Sequence, residues 1–512
     1  MIRPRQPTAL GVDMEKTVER YNSLALLQGL CLFLGVGAIV AFPFSLAWVG
    51  LERSVLWAEG VCCLLVMTLP TLFRREYDVF EPISFIMLST VFGVTLRAIY
   101  MALYENATIT QELLLYKHPG AMIGGGALIL IALLFLTAGY MLNLPVVRVE
   151  RYPLLGNRPW ITWRLFLVIG FYTVVALVAM YFYFKTMGLK EFVLSTISTK
   201  HFYTISESQG YKKTVLGYYR WAASLIIPAF YLLLCWFAGT SRRWISPMGF
   251  LVVLTCMLAA VFPIMNSSRH DVVIIIVIAM VLWHYVRGEV KVRTILLTAT
   301  MIILLLVVML ALRARASGWS EVAGYLTGET ILDKTVGNRN YLGIDKAGQI
   351  VNAIPDKLPY EFGSTLVTWV VAPVPRTSWP DKPIILAGAT IGQLVYETKD
   401  PSGSGAGVPP GFIPELYWNC GVPGTIVGVF LLGGWLKFLY RSFEPYIRTN
   451  KAALVIYVTT MTSFSFYLMG GTLSGAIIQT LTQTIPLFAA VWFIRAAPAS
   501  RNQDREPVPA QG

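Results

Sequence analysis

The sequence predicts an all-α polytopic membrane protein, and three observations carry that prediction. Of its 512 residues, 56% are hydrophobic and only 13% charged, where a soluble domain carries about 25% charged residues. Mean hydropathy is +0.62. The apolar residues also gather in runs long enough to cross a bilayer, which takes about 20 residues as a helix. Runs so long satisfy their backbone in lipid only as helices. This composition excludes a cytosolic enzyme, a disordered chain and a secreted disulfide scaffold.

Twelve runs fit that template, near 23–44, 54–73, 82–104, 121–142, 163–184, 219–239, 247–265, 271–286, 294–312, 414–436, 452–470 and 475–494. The eighth is short and opens on Asp271. Orientation follows from Lys and Arg in the connections, which favour the cytoplasmic side. With the N-terminus inside, the inner connections hold 22 Lys and Arg, among them Arg3, Arg74, Arg148, Arg242, Arg287, Lys437 and Arg495. The short outer connections hold only Arg53, Lys117 and Arg269. The chain therefore divides into an inner tail (1–22), helices one to nine (23–312), a large outer loop (313–413), helices ten to twelve (414–494) and a second inner tail (495–512). Both termini face the cytoplasm in this arrangement.

The formal charge of +13 would point to nucleic acid in a soluble protein. Here it reads as the bias of inner loops, and no nucleic-acid partner is expected. Arg3, Arg5, Lys16 and Arg20 precede a run long enough to span, so the start reads as a first helix and not as a cleavable signal. The cysteines show no CxxC spacing and read as small hydrophobes within helices. There is no Walker A, HExxH or GxSxG pattern, no DxD pair in the loops, and only Glu52 in the first outer connection, Ala47 to Val55. No metal and no cofactor are expected. The Gly-rich AMIGGGALIL (Ala121 to Leu130) lies within a span, where glycines let helices approach closely.

The loop 313–413 is the main departure from short connections. Its nine basic and nine acidic residues balance. An aromatic-apolar run (Tyr360 to Val374) and an amphipathic run (Ile384 to Tyr396) predict an ordered lid on the membrane face. Only Pro401 to Pro410 has the composition of a flexible segment.

Ionisable groups at membrane depth are costly, so each is a functional candidate. Arg97 sits in the middle of the third span and reads either as an internal ion pair or as a substrate contact. Arg269, His270 and Asp271 open the eighth span, Arg313 and Arg315 close the ninth at the same level, and Arg376 follows in the loop. Glu415 enters the tenth span. Snorkelling accounts for any one of these arginines; several at one face suit a phosphate or diphosphate, whose oxygens the guanidinium fork grips bidentately. A lipid diphosphate would lie at this depth, with its tail in the bilayer, and fixed cations would stabilise charge on a leaving diphosphate.

The strings SRHDVV, LRARASGW, PYEFGSTLVTWVVAPVPRTSWPDKP and PPGFIPELYWNCGVPG, with short outer turns and one large outer loop, resemble the Wzy-type polysaccharide polymerases of the O-antigen polymerase and ligase superfamily. The resemblance covers roughly residues 250–430. The ligase branch is expected to carry a His in the large loop, and 313–413 contains none, which favours the polymerase. The resemblance implies a metal-independent glycosyltransferase of the bacterial inner membrane, with its large loop in the periplasm. Its substrate would be an oligosaccharide repeat unit on undecaprenyl diphosphate, destined for lipopolysaccharide, capsule or exopolysaccharide. A flippase and a chain-length regulator of the same pathway are the implied partners. Arg269, Arg313, Arg315 and Arg376 would hold diphosphate, with Arg339 and Lys382 as secondary charge. Glu415 or His270 would orient the attacking hydroxyl, and Tyr360, Trp369, Trp379 and Trp418 are candidates to stack on sugars. A ligase-type glycan transferase and a twelve-helix secondary transporter stay open as alternatives; a transporter would want two matched halves, and no internal repeat is visible.

Overall fold

In a computed structural model, the described residues are 29, 32–73, 78–103, 119–147, 152, 155–187, 210–240, 244–265, 268–288, 290, 292–314, 336, 343–374, 378–379, 382, 388, 391 and 409–495. Among them are eleven helices long and apolar enough to cross a membrane and no β-strand, only an isolated bridge between Trp160 and Arg495. The protein is thus an all-α, multi-pass membrane protein. Both expected tails, apart from Arg495, lie outside the described residues, as do Pro401 to Val408 and most of Ile384 to Tyr396.

The spans are α1 (Leu32–Val49), α2 (Leu51–Leu72), α3 (Pro82–Leu103), α4 (Gly120–Tyr140), α5 (Thr162–Thr186), α6 (Gly217–Ala238), α7 (Pro247–Ile264), α8 (Arg269–Arg287), α11 (Phe412–Phe443), α12 (Lys451–Gly470) and α13 (Leu473–Ile494). Between α8 and α11 lie α9 (Val292–Ala314), whose described apolar stretch Arg293–Ile302 is shorter than a span, and α10 (Ile344–Ala353). Most bounds fall within a few residues of expectation. The first span is the exception. It runs through Pro43 to Val49, and Gly50, at φ 85°, alone separates it from α2. The expected outer connection Ala47 to Val55 is therefore no loop, and Glu52 stands in the first turn of α2. The eighth span, short in the sequence, is a regular helix of 19 residues.

Close backbone crossings set the packing. At Gly139 and Gly433 any Cβ would strike the facing helix's carbonyls, Phe430 O and Leu136 O respectively, so α4 and α11 meet backbone to backbone. α6 breaks at Ser224–Leu225, where Pro228 has no N–H to give the Ser224 carbonyl. Asn450 caps α12 by accepting from Ala452 N and Ala453 N at 3.0 and 3.2 Å. α12 is the most enclosed span, with 89% of its apolar window buried, whereas α1 buries none of its own.

Of the loop read as a lid, residues 343–374 form short helices and turns packed against the bundle. Its helix α10 lies on the first turns of α4. Gly124 to Gly126 make this possible: a Cβ on Gly125 would collide with the backbone of Gly348, and one on Gly124 would touch Val351. The glycines do serve close packing, but against the loop helix. Beyond α10 the chain crosses α11, with Glu361 N and Phe362 N donating to the Trp418 and Asn419 carbonyls at 3.1 and 3.0 Å. A single turn (Ser364–Val367) and a 3-10 turn (Thr368–Val371) then rest on the start of α13. The lid sits on the end of the bundle where α3 and α12 finish and α4, α11 and α13 begin. We call this the loop end.

Candidate functional site

Four groups at the loop end carry the geometry. The first is the root of α10. Arg97, 1% exposed, faces Asp345, 0% exposed, across an ion pair: Nη2 donates to Oδ2 at 2.9 Å, and Nε stands 2.5 Å from Oδ1. Arg97 Nη1 also donates to Val336 O at 3.2 Å. Of the two readings of Arg97, the structure displays the internal ion pair, joining the third span to the loop. The adjoining Lys346 is 1% exposed and donates Nζ to Pro409 O at 3.1 Å. Burial, with the Arg97 charge against it and Asp345 partly opposing, pulls the Lys346 ammonium down to about 7. Glu59 of α2 faces Gly126 in the same region, and its buried Oε2 has no hydrogen-bond partner.

The second group is centred on Glu415, 0% exposed in the first turn of α11. Its Oε1 accepts from Thr365 Oγ1 at 3.1 Å and its Oε2 from Leu473 N at 2.6 Å. The carboxylate thereby ties the lid to the N-terminus of α13, a place where negative charge is favoured. Asn419, one turn on, donates Nδ2 to Thr365 Oγ1 and to Glu415 O. Ser474 donates to Thr365 O at 2.7 Å and accepts from Thr368 Oγ1 at 3.0 Å. The described partners of the Glu415 carboxylate are thus a hydroxyl and a backbone amide.

The helix carrying Glu415 is broken. Gly421 adopts φ 64°, which glycine alone takes without cost, and Pro423 follows. The segment up to Cys420 belongs to the lid layer, and the remainder traverses the bundle. Tyr360 packs against Tyr417 and Phe362 beside this break, and Trp418 donates Nε1 to Pro359 O at 3.2 Å.

The third group surrounds His270. The ring lies edge-on to Phe466 and Tyr467, with centroids 6.1 and 5.0 Å away. Asp271 accepts from Ser268 Oγ at 2.5 Å and from the Tyr467 hydroxyl. The serine and tyrosine thereby take both carboxylate oxygens of Asp271. Because Tyr467 closes α12 and Leu473 opens α13, His270 and Glu415 stand on either side of one interhelical turn. The last group is Lys382, 6% exposed, whose Nζ donates to Ala372 O and Val374 O at 2.9 and 2.8 Å. It clamps the chain just before Arg376. Trp379 is 41% exposed.

Arg315, Arg339 and Arg376 lie outside the described residues. Arg269 and Arg313 belong to α8 and α9 with side chains outside them. Sequence reading missed Glu59, Asp345, Lys346, Thr365 and Asn419. The rule that singled out Arg97 would have found Glu59, an acid inside an apolar run. Asp345 and Lys346 look solvated in a loop and gain meaning only from where the loop docks. No family's sequence model, no curated protein and no solved structure matches this chain.

Proposed function

We propose that the chain is a polysaccharide polymerase of the bacterial inner membrane, moving a growing glycan from its undecaprenyl diphosphate onto the next lipid-linked repeat unit. The observation that supports it most is the lid. A long segment between two spans folds back over the ends of apolar helices, rooted by a buried ion pair and by Glu415. An enzyme acting on a membrane-held lipid diphosphate needs such a layer, with head group under the lid and tail in the bilayer.

In this reading both termini face the cytoplasm, α9 is the twelfth crossing, and the loop end faces the periplasm. Arg269, Arg313, Arg315 and Arg376 grip the diphosphates, whose fixed negative charge suits bidentate guanidiniums, and Arg339 adds charge nearby. Arg97 and Lys382 act by positioning: one roots α10, the other sets the segment before Arg376. The acceptor hydroxyl attacks the anomeric carbon, the C–O bond to the donor's diphosphate breaks, and undecaprenyl diphosphate leaves with that bond's electrons. The hydroxyl proton passes to Glu415 or His270; a positioned base contributes about 10²–10⁴-fold. The leaving diphosphate supplies the driving force, so the transfer consumes no nucleotide. A flippase and a chain-length regulator are the partners this requires.

Turnover of purified Glu415→Gln and His270→Gln on a lipid-linked repeat unit, across pH, tests the assignment. A base at Glu415 requires normal substrate binding with turnover slowed about tenfold or more in the Gln variant. Weakened binding alone would make Glu415 an ordering group. Loss confined to His270→Gln would move the role to the imidazole.

A further inference from the structure

The most enclosed span carries a polar ladder that glycan transfer does not use. On α12, Tyr457, Thr460, Ser463 and Tyr467 recur at steps of three, three and four residues, which places them along one helical face. Facing them on α13 are Thr484, Gln483 and Thr480. Thr460 Oγ1 and Thr484 Oγ1 lie 3.1 Å apart, and Ser463 Oγ donates to Gln483 Oε1 at 3.4 Å. Thr480, 5% exposed, stands one turn nearer the loop end, and its hydroxyl has no hydrogen-bond partner.

Carboxylates close the ladder at both ends. At the loop end Tyr467 donates to Asp271, with the fully buried Tyr231 hydroxyl in electrostatic reach of the same carboxylate and itself without a hydrogen-bond partner. His270, Arg220 and Cys256 are further titratable groups there. At the opposite end Tyr457, 3% exposed, lies within electrostatic reach of Asp78, Glu81 and Glu444, and its hydroxyl too has no hydrogen-bond partner. Tyr285 donates to Asp78 at 2.5 Å and Tyr140 to Glu81 at 2.7 Å, while Tyr440 contacts Glu444 at 3.5 Å. Lys437 and Arg448 lie over the tyrosine rings of this group.

Buried hydroxyls are costly unless paired, and a buried water with two to four polar neighbours satisfies those that no protein group reaches. The ten residue steps from Tyr457 to Tyr467 rise about 15 Å, half of the roughly 30 Å apolar core of a bilayer, and the carboxylates extend the polar path beyond both. We propose that this ladder, with water joining the unpartnered hydroxyls of Tyr457 and Thr480, is a proton path across the membrane between Asp271 and the Asp78–Glu81–Glu444 group. A proton taken up by the Asp271 carboxylate passes to Tyr467 as that hydroxyl releases its own, and each hydroxyl or water below repeats the exchange, while the Gln483 carboxamide carries no proton and only orients Ser463. The last transfer protonates one carboxylate of the opposite group, which releases the proton to solvent. One proton enters and one leaves; nothing is oxidised or reduced, and the membrane potential drives the flow.

The test is proton flux into vesicles of defined phospholipid holding the full chain, read by a trapped pH dye under a potassium-diffusion potential. The ladder requires acidification faster than in protein-free vesicles, abolished in Thr480→Val, which keeps shape but deletes the hydroxyl, and in Tyr457→Phe. Thr482→Val removes a hydroxyl that bonds only within its own helix, to Gln479 O, and should conduct like the unaltered chain. Monodispersity on gel filtration establishes folding of each variant, and Thr480→Val decides if Tyr457→Phe fails it. Flux equal to that of protein-free vesicles, or the full rate in a folded Thr480→Val, overturns the path. A current that follows sodium and leaves the trapped pH unchanged overturns the proton as its carrier. Glycan transfer is read separately, so either idea can fail alone.

Discussion

Arg97 and Asp345 are both essentially unexposed and join a membrane helix to a loop 248 residues further along the chain. Removing one partner of such a pair strands a buried charge and costs about 3–5 kcal/mol. Arg97→Ala should therefore lower the thermal midpoint in detergent and expose α10 to protease. Replacing both by apolar residues of similar size should recover most of that loss; an Arg97→Ala variant as stable as the parent would show that the pair does not root the lid. The neighbouring Lys346 gives a pH signature. Its folded value is depressed to about 7 from 10.5, so between those limits the docked state binds fewer protons than the undocked one. Docking then strengthens as pH rises through that window and is flat below about 7, where both states hold the proton. Hydrogen exchange of α10 amides, corrected for intrinsic rate, should show protection rising with pH, and Lys346→Met should remove that dependence. Sequence alone flagged Arg97 because a charge in an apolar run is conspicuous. It could not flag Asp345, since an acid in a polar loop is unremarkable until the loop is seen to dive.

At the scale of elements, the glycines of the fourth span and the break in α11 do the positioning. Adding a side chain at Gly125 forces α10 away from α4, and overpacking of this kind costs about 1–3 kcal/mol. Gly125→Val should free the lid while leaving the spans folded, seen as proteolysis confined to residues 343–374. Cleavage no faster than in the parent would place the α4–α10 contact elsewhere. The spans were legible because an apolar run near 20 residues has only one solution in lipid. Their ends were less so: the first span reads as 23–44 and α1 runs on to Val49, since a proline inside a long apolar helix bends it without ending it. The split of α11 at Gly421 was hidden for the opposite reason. A Gly followed by Val and Pro within an apolar run reads as an ordinary span, and only the lid's contacts with Trp418 and Asn419 give the first segment a separate role.

For the whole molecule, the described packing puts the lid, Arg97, Glu415 and His270 at one end of the bundle and Asp78, Glu81 and Glu444 at the other. Single cysteines at Ser404 and Ser500, in a background without native cysteines, should react oppositely with an impermeant thiol reagent. Equal reaction from outside would end the proposed topology. The arginines that sequence reading gathers around a diphosphate make the sharper claim. Arg376→Ala or Arg315→Ala should leave products one repeat unit long at unchanged protein level, and Lys at either position should rescue poorly because it lacks the bidentate fork. Spacing could gather these arginines at one membrane level, but not into one site, because that depends on how loop side chains fold over the helix ends. The most direct measurement is therefore chemical. Purified protein in nanodiscs, given an undecaprenyl-diphosphate-linked repeat unit without nucleotide, should yield a ladder of lipid-linked products and release undecaprenyl diphosphate at one equivalent per added unit, with Arg376→Ala yielding neither. Lipid-linked saccharide that stays one repeat long, with no diphosphate released by well-folded protein, would contradict the account.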